Sequence, residues 1–339
     1  MTKKIQHLKT VVPQGYSSAL DVLETEVAIK KIKDYFERHL AARLSLLRVS
    51  APLFVKRETG LNDDLNGIER PVGFDFEDSR VEIVHSLAKW KRMALHRYGI
   101  TQGNGLYTDM NAIRRDEVLD NLHSMYVDQW DWEKVIPKSM RTRETLMDIV
   151  ESIYSVFKET GDYIALEYPE LDHQLPERIH FIEAQDLEDL YPQMTAKERE
   201  HAICEKLKAV FIIGIGAPLA SGIPHDGRAP DYDDWSLNGD IIFWNPVLKC
   251  AFELSSMGIR VDEEALYKQL EARDQLSRLE FPFHKALMQK ELPYTVGGGI
   301  GQSRICMYFL KKAHIGEVQA SVWDEETVST CEGSGITLL

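Results

Sequence analysis

The chain has 339 residues, 44% of them hydrophobic, and a formal net charge of −14. That length supplies a large core in one or two domains. The acidic balance argues against a nucleic-acid partner held over a broad surface, where lysine and arginine must neutralise phosphates, but leaves room for a local basic pocket.

Lys3 and Lys4 are not followed by an apolar signal core. Residues 18–47 carry apolar side chains near the helical period (Leu20, Leu23, Val27, Ile32, Phe36, Leu40, Leu44, Leu47). Ser18 reads as the N-cap and Asp21 as a first-turn acid. A strand over 47–55, interrupted at Pro52, should follow as an edge. A long helix feeding an edge strand is either an oligomer surface or an ordinary core element. Residues 61–67 form a polar loop in which Asp63 and Asp64 are either solvated acids or ligand contacts, and the loop alone favours the former. Residues 80–85 alternate as a strand. Ser86 then opens a helix over 87–98, closed by Gly99. Lys89 and Lys91 point in different directions on it, and solvent is the default destination for each.

A β-hairpin is expected over 104–132, its connection beginning Arg114, Arg115, Asp116, Glu117. Gln129 and Asp131 share one face of its second strand. Polar groups on such a strand either cover a wet surface or line a cleft, and Arg114 beside them favours the cleft. Residues 143–168 read as a core helix, 178–184 and 209–216 as apolar strands, and Thr195 with Glu198 as the capping box of a helix to about Lys208. No chemistry is assigned to this middle third. The longest apolar run, 209–220, contains Pro218 and falls short of the roughly 20 residues of a membrane span.

Residues 225–236 are dense in charge, and Pro230 excludes a regular helix. Arg228, Asp231, Asp233 and Asp234 could satisfy one another, yet the loop runs directly into Asp240, which would open a strand. Residues 239–260 read as two strands joined at Asn245 and Pro246, the second carrying Glu253 between Phe252 and Leu254. A carboxylate in an apolar strand needs a partner, and two on neighbouring strands could share a hard cation such as Mg²⁺. Further helices are expected over 262–275 and 283–290. The run 297–304 (GGGIGQSR) lets backbone approach a ligand and ends in the planar cation Arg304. It fits neither the dinucleotide fingerprint nor a P-loop, and a helix over 302–312 follows it. The cysteines Cys204, Cys250, Cys306 and Cys331 are widely spaced, so no disulfide framework or zinc site is expected and a reducing cytoplasm fits. No repeat or linker interrupts residues 1–339, so a single domain is expected.

A triphosphate suits these parts. Two unit charges about 4 Å apart interact by roughly 4 kcal/mol at an effective dielectric of about 20. A carboxylate approaching a phosphate chain therefore needs cations, and Arg114, Arg304 and Mg²⁺ on Asp240 and Glu253 would supply them. No serine or cysteine nucleophile is needed if the substrate carboxylate itself attacks.

The arginine hairpin (114–117) and the glycine–arginine strand–helix (297–304) resemble the catalytic fold of class II aminoacyl-tRNA synthetases: α+β, a mainly antiparallel sheet flanked by helices. More narrowly, segments 84–92 (VHSLAKWKR), 126–132 (YVDQWDW), 228–235 (RAPDYDDW), 252–260 (FELSSMGIR) and 297–304 resemble the ammonia-dependent asparagine synthetases, or aspartate–ammonia ligases. The resemblance implies attack of the L-aspartate side chain on the α-phosphorus of ATP, giving β-aspartyl-AMP and pyrophosphate. Ammonia then converts the adenylate to L-asparagine and AMP. It assigns Asp63, Ser86, Lys91, Gln129, Asp131, Ser255, Ser256 and Arg260 to the amino-acid pocket. It assigns Arg114, Glu117, Asp233 and Arg304 to ATP, and Asp240 and Glu253 to the metal. Asp63, Lys91, Arg114 and Gln129 would carry catalysis, with Asp63 orienting ammonia and Lys91 and Arg260 holding substrate carboxylates. A cytoplasmic homodimer through the first helix and strand is implied as well.

The chain departs from that pattern at Asp64, at the short 236–239 connection and at 215–219, where a family lysine is missing. A tRNA synthetase is disfavoured by the acidic balance and by the lack of a recognisable anticodon-binding segment. A glutamine-dependent synthetase would begin with a cysteine nucleophile, where this chain has Met1 and Thr2. A non-catalytic amino-acid sensor would have no use for the phosphate and metal ligands.

Overall fold

A computed structural model describes residues 10–63, 69–172 and 175–339. Helix α1 (Val22–Leu44) opens on Asp21, not Ser18. The Asp21 carboxylate accepts from the Glu24 amide, while Glu24 reaches back to the Asp21 amide, a full capping box. Ser18 is drawn away by Lys312, whose ammonium donates to its hydroxyl at 2.6 Å. The expected 47–55 strand is two: β1 (Leu46–Arg48) and β2 (Phe54–Lys56), which join different sheets. Strands β3 (Gly73–Phe76) and β4 (Ser79–Ile83) complete a small sheet with β2. Asp64 lies outside the described residues.

Helix α2 (Ala88–Arg97) leads to the hairpin β5 (Gly105–Ile113) and β6 (Tyr126–Val135). Helix α3 (Arg143–Glu167) matches its expected range. Strand β7 (His180–Glu183) is followed by an unforeseen helix, α4 (Ala184–Leu190). Thr195 and Glu198 do form the capping box of α5 (Ala196–Leu207), which feeds β8 (Ala209–Ile213). Strand β9 (Asp233–Asn245) begins seven residues before Asp240 and pairs with β10 (Cys250–Arg260). Helices α6 (Glu263–Ala272) and α7 (Pro282–Met288) lie before β11 (Thr295–Gly301), α8 (Gln302–Phe309) and α9 (Glu325–Gly333).

Among the described residues the main sheet has eight strands in the order β1-β5-β6-β11-β10-β9-β8-β7. The six central strands run antiparallel, and the two edge strands are parallel to their neighbours. One core packs α1, α3 and α8 against this sheet through Phe36, Trp130, Trp132, Phe157, Phe243 and Phe309. The apolar positions of α1 divide: Ile32, Phe36, Leu40 and Leu44 are buried, whereas Leu23, Val27 and, beyond the helix, Leu47 face out. The four cysteines are free thiols. No helix among the described residues is long and apolar enough to cross a membrane.

Candidate active site

On β6, Trp130 and Trp132 point into the core, so Gln129, Asp131 and Glu133 point to the opposite face. The neighbouring strand β11 is glycine there for a steric reason. A Cβ on Gly299 would strike the Gln129 amide, and one on Gly297 would strike the Glu133 carboxylate and the Arg260 guanidinium. On β10, Glu253 and Ser256 are three apart, a spacing that puts side chains on opposite faces of a regular strand. A register shift between Glu253 and Ser255, where the pairing to β9 slips by one residue, lets both face the same side. Ser256 then stands opposite Asp240.

These strands form the floor of a cavity of about 490 Å³. Its wall includes Asp63, Ser86, Gln129, Asp131, Ser255, Ser256 and Arg260 together with Arg114, Glu117, Asp233, Asp240, Glu253 and Arg304. Thirteen of the fourteen residues singled out from sequence thus share one space. The fourteenth, Lys91, is not on its wall.

At one end stand the acids of β9 and β10. Asp240 bonds Arg228 at 2.6 Å. Burial raises its pKa to about 6, with the nearby charge of Glu253 adding to the rise against the opposing pull of Arg228. For Glu253 burial also pushes upward, but Arg304, Lys197 and Arg228 outweigh it and hold the pKa below the usual value. Arg304 lies 3.9 Å from the Glu253 carboxylate, donates to its backbone carbonyl at 2.7 Å and sits over the Phe252 ring. Arg114 is 3.8 Å from Glu117, and Asp116 is tied to Arg70.

Deeper in the floor lies a buried charge network. Arg260 donates to both oxygens of Glu133 at 3.0 Å and to Asp233. Asp233, expected beside the nucleotide, is held between Arg260 and Arg228. Lys91 is fully buried. Its ammonium pairs with Asp131, lies 3.7 Å from Glu133 and donates to the Trp132 carbonyl at 2.8 Å. In this structure its ammonium is engaged by Asp131, Glu133 and the Trp132 carbonyl. Lys89 is buried as well, pairing at 3.0 Å with Asp231, which Arg278 and His284 also contact. The charged 225–236 loop is thus satisfied mainly by other elements, and it borders the cavity through Arg228, Tyr232 and Asp233.

Some site residues escaped the sequence reading, among them three on the cavity wall and one, Glu133, beneath it. Arg228 lies in a recognised motif whose charges could satisfy one another, although its run into Asp240 points that loop towards the site. Lys197, from the α5 segment given no chemistry, lies on the cavity wall beside Asp226 at 3.0 Å. His85 lines the wall next to Ser86. Glu133, one alternation beyond Asp131, could have been found by extending the strand period by two residues.

The sheet order, the arginine-bearing hairpin and the glycine–arginine strand–helix define a class II aminoacyl-tRNA synthetase-like catalytic fold. Solved structures agree. An asparaginyl-tRNA synthetase from Entamoeba histolytica, in complex with asparaginyl-adenylate, superposes with a TM-score of 0.64 at 13% identity, covering 88% of this chain and 66% of that one. The Pyrococcus horikoshii asparaginyl-tRNA synthetase, complexed with the same adenylate, gives 0.64 at 14% identity over 87% of this chain and 68% of that one. These chains extend beyond the shared part. The sequence narrows the class further, because the family model for aspartate-ammonia ligase matches residues 23–335. Proteins named aspartate–ammonia ligase are 63% identical over 98% of this chain in Clostridium perfringens strain 13, covering 99% of that protein, and 58% identical over 95% in Bacillus cereus, again covering 99%. The chain belongs to the aspartate–ammonia ligase family.

Proposed function

We propose that this cavity carries out the reaction of that family, the ATP-dependent synthesis of L-asparagine from L-aspartate and ammonia through β-aspartyl-AMP, releasing AMP and pyrophosphate. The observation that carries the assignment of roles is the meeting of Arg114, Arg304, Asp240 and Glu253 with Gln129, Asp131 and Arg260 in one cavity. Arg114 and Arg304 offset the repulsion between the attacking β-carboxylate and the phosphates. Asp131, fixed by Lys91, and Gln129 orient the amino acid, while the outward N–H groups of Arg260 face its carboxylate. Ser86, Ser255 and Ser256 add hydrogen bonds at the floor, Glu117 steadies Arg114, and Asp233 steadies Arg260. The whole chain acts as one catalytic unit.

Asp240 and Glu253 suit Mg²⁺. They offer hard oxygen donors on adjacent strands. No group of three metal-ligating acids, histidines or cysteines exists among the described residues. Two carboxylates completed by phosphate oxygens is an ordinary arrangement for this ion. Mg²⁺ would neutralise phosphate charge and orient pyrophosphate as leaving group.

The direct test supplies ATP, Mg²⁺ and aspartate, with nitrogen as ammonium or as glutamine, and measures AMP and asparagine. Ammonium should support synthesis and glutamine should not. Asp63, buried at the cavity wall, orients ammonia. Asp63→Ala is expected to lower asparagine formation by about 10² and to affect aspartyl-adenylate formation much less. Equal loss in both steps would make Asp63 a binding residue for aspartate.

A cytoplasmic homodimer fits the outward apolar residues. Leu23 and Val27, four apart on one face of α1, are 76% and 53% exposed, and Leu47 is 63% exposed. A second copy of the chain is the proposed cover. Leu23→Asp with Val27→Asp should halve the solution mass in light scattering at micromolar concentration, and an unchanged mass would remove this face as the interface.

A further inference from the structure

His85 is 1% exposed and lines the cavity, yet neither the amino-acid roles nor the phosphate roles use it. Its backbone N–H donates to the Asn62 side chain at 2.9 Å, which pins the residue. Its Nδ1 lies 3.0 Å from the Asp63 backbone carbonyl. A carbonyl oxygen only accepts, so Nδ1 carries the proton and Nε2 carries a lone pair. That Nε2 is buried and meets no hydrogen-bond partner among the described residues. A buried acceptor without a donor costs about 1–3 kcal/mol, so its retention in an active-site wall points to a donor that arrives with the reaction. Burial lowers the pKa of the ring and Arg114 adds to the fall, against the Asp63 carbonyl, which raises it, so the neutral form is favoured.

Carboxylates and phosphates offer no proton to such a group. Ammonia does, as do the α-ammonium of aspartate and the ribose hydroxyls and adenine amino group of ATP; loss of a contact to the nucleoside would lower pyrophosphate exchange, which separates it from a contact to ammonia. The α-ammonium is a cation and is matched by carboxylates such as Asp131. A neutral imidazole near Arg114 suits a small neutral donor. We propose that His85 Nε2 is the ammonia acceptor, holding the nucleophile through an N–H and receiving its proton. This rests on the proposed reaction. The nitrogen lone pair attacks the β-carbonyl carbon of the adenylate and the carbonyl electrons move to oxygen. One N–H proton passes to Nε2, leaving an imidazolium. The tetrahedral adduct then collapses, the bond from carbon to the AMP oxygen breaks, and AMP departs with the electron pair. The imidazolium returns its proton to solvent.

The test separates the half-reactions in the intact chain. His85→Asn retains an amide N–H able to reach the Asp63 carbonyl but has no atom at Nε2. His85→Gln places an amide oxygen near the Nε2 position, able to accept a hydrogen bond but not a proton. Aspartate-dependent exchange of pyrophosphate into ATP, without ammonia, reads adenylation; asparagine formation against ammonium concentration reads the second step. His85→Asn should lower kcat/KM for ammonia by about 10² beyond any change in exchange, with the KM for aspartate unaltered. His85→Gln should restore much of the KM for ammonia but not kcat. Hydroxylamine, largely unprotonated at neutral pH, should suffer less than ammonia in His85→Gln. A parallel fall of exchange and synthesis, or a raised KM for aspartate, would overturn the proposal in favour of an amino-group ligand. No change in either step would reduce the partner of Nε2 to water. A wild-type protein that exchanges pyrophosphate but makes no asparagine would defeat the proposed reaction, independently of His85.

Discussion

Replacing Arg304 by alanine is expected to cut aspartate-dependent pyrophosphate exchange by about 10²–10³, the usual effect of removing one preorganised donor to developing charge. Arg304 enters the cavity from the first turn of α8, where the Glu253 carbonyl and the Phe252 ring hold it. Its side chain keeps 23% of its exposure, so its removal should cost little stability. Arg304→Lys should recover only part of the loss, because a single ammonium cannot replace the planar guanidinium fork. The decisive measurement is exchange at saturating ATP alongside a melting curve. A melting temperature that collapses together with activity would mean that Arg304 supports the fold and not the nucleotide.

Most of what was legible in the sequence depended on local periodicity. The alternation in β6 placed Gln129 and Asp131 opposite the tryptophans, and the glycines of β11 marked a close approach that proved to accommodate side chains from β6. The capping box at Thr195 was readable because both partners lie within one turn. What was missed depended on pairing between distant segments. The slip in β10 that turns Glu253 and Ser256 to one side exists only relative to β9. Lys89 and Lys91 look like surface lysines until Asp231 on one side and Asp131 and Glu133 on the other arrive from far along the chain. The 47–55 segment has the composition of one strand, yet its halves join different sheets. Proline at position 52 marked the break without saying that each half would find its own partner. Lys197 carries no local signal at all, since only the packing of α5 near β10 brings it to the cavity.

Arg260→Met should destabilise the chain by about 3–5 kcal/mol, the range for breaking a buried pair and stranding its partner. Glu133 is fully buried and Asp233 nearly so, and Arg260 is the main cation for both. Burial alone would raise the Glu133 pKa, but Arg260 and then Lys91 overcome that and hold it below the ordinary value. In the wild type this carboxylate therefore adds stability that is present above its unfolded pKa and lost as the pH falls through the folded value. With Arg260 gone, burial dominates and the folded pKa moves above the unfolded one, so the penalty grows as the pH rises. The destabilisation should accordingly be larger at pH 8 than at pH 4.5, measured by urea unfolding at each pH. Glu133→Gln in the Arg260→Met background removes the stranded charge and should recover part of the loss at pH 8 but little at pH 4.5. The two substitutions would then be non-additive, as contacting residues are. Strict additivity at both pH values would mean that Arg260 and Glu133 contribute separately, and that the charged floor beneath the cavity is not one coupled unit.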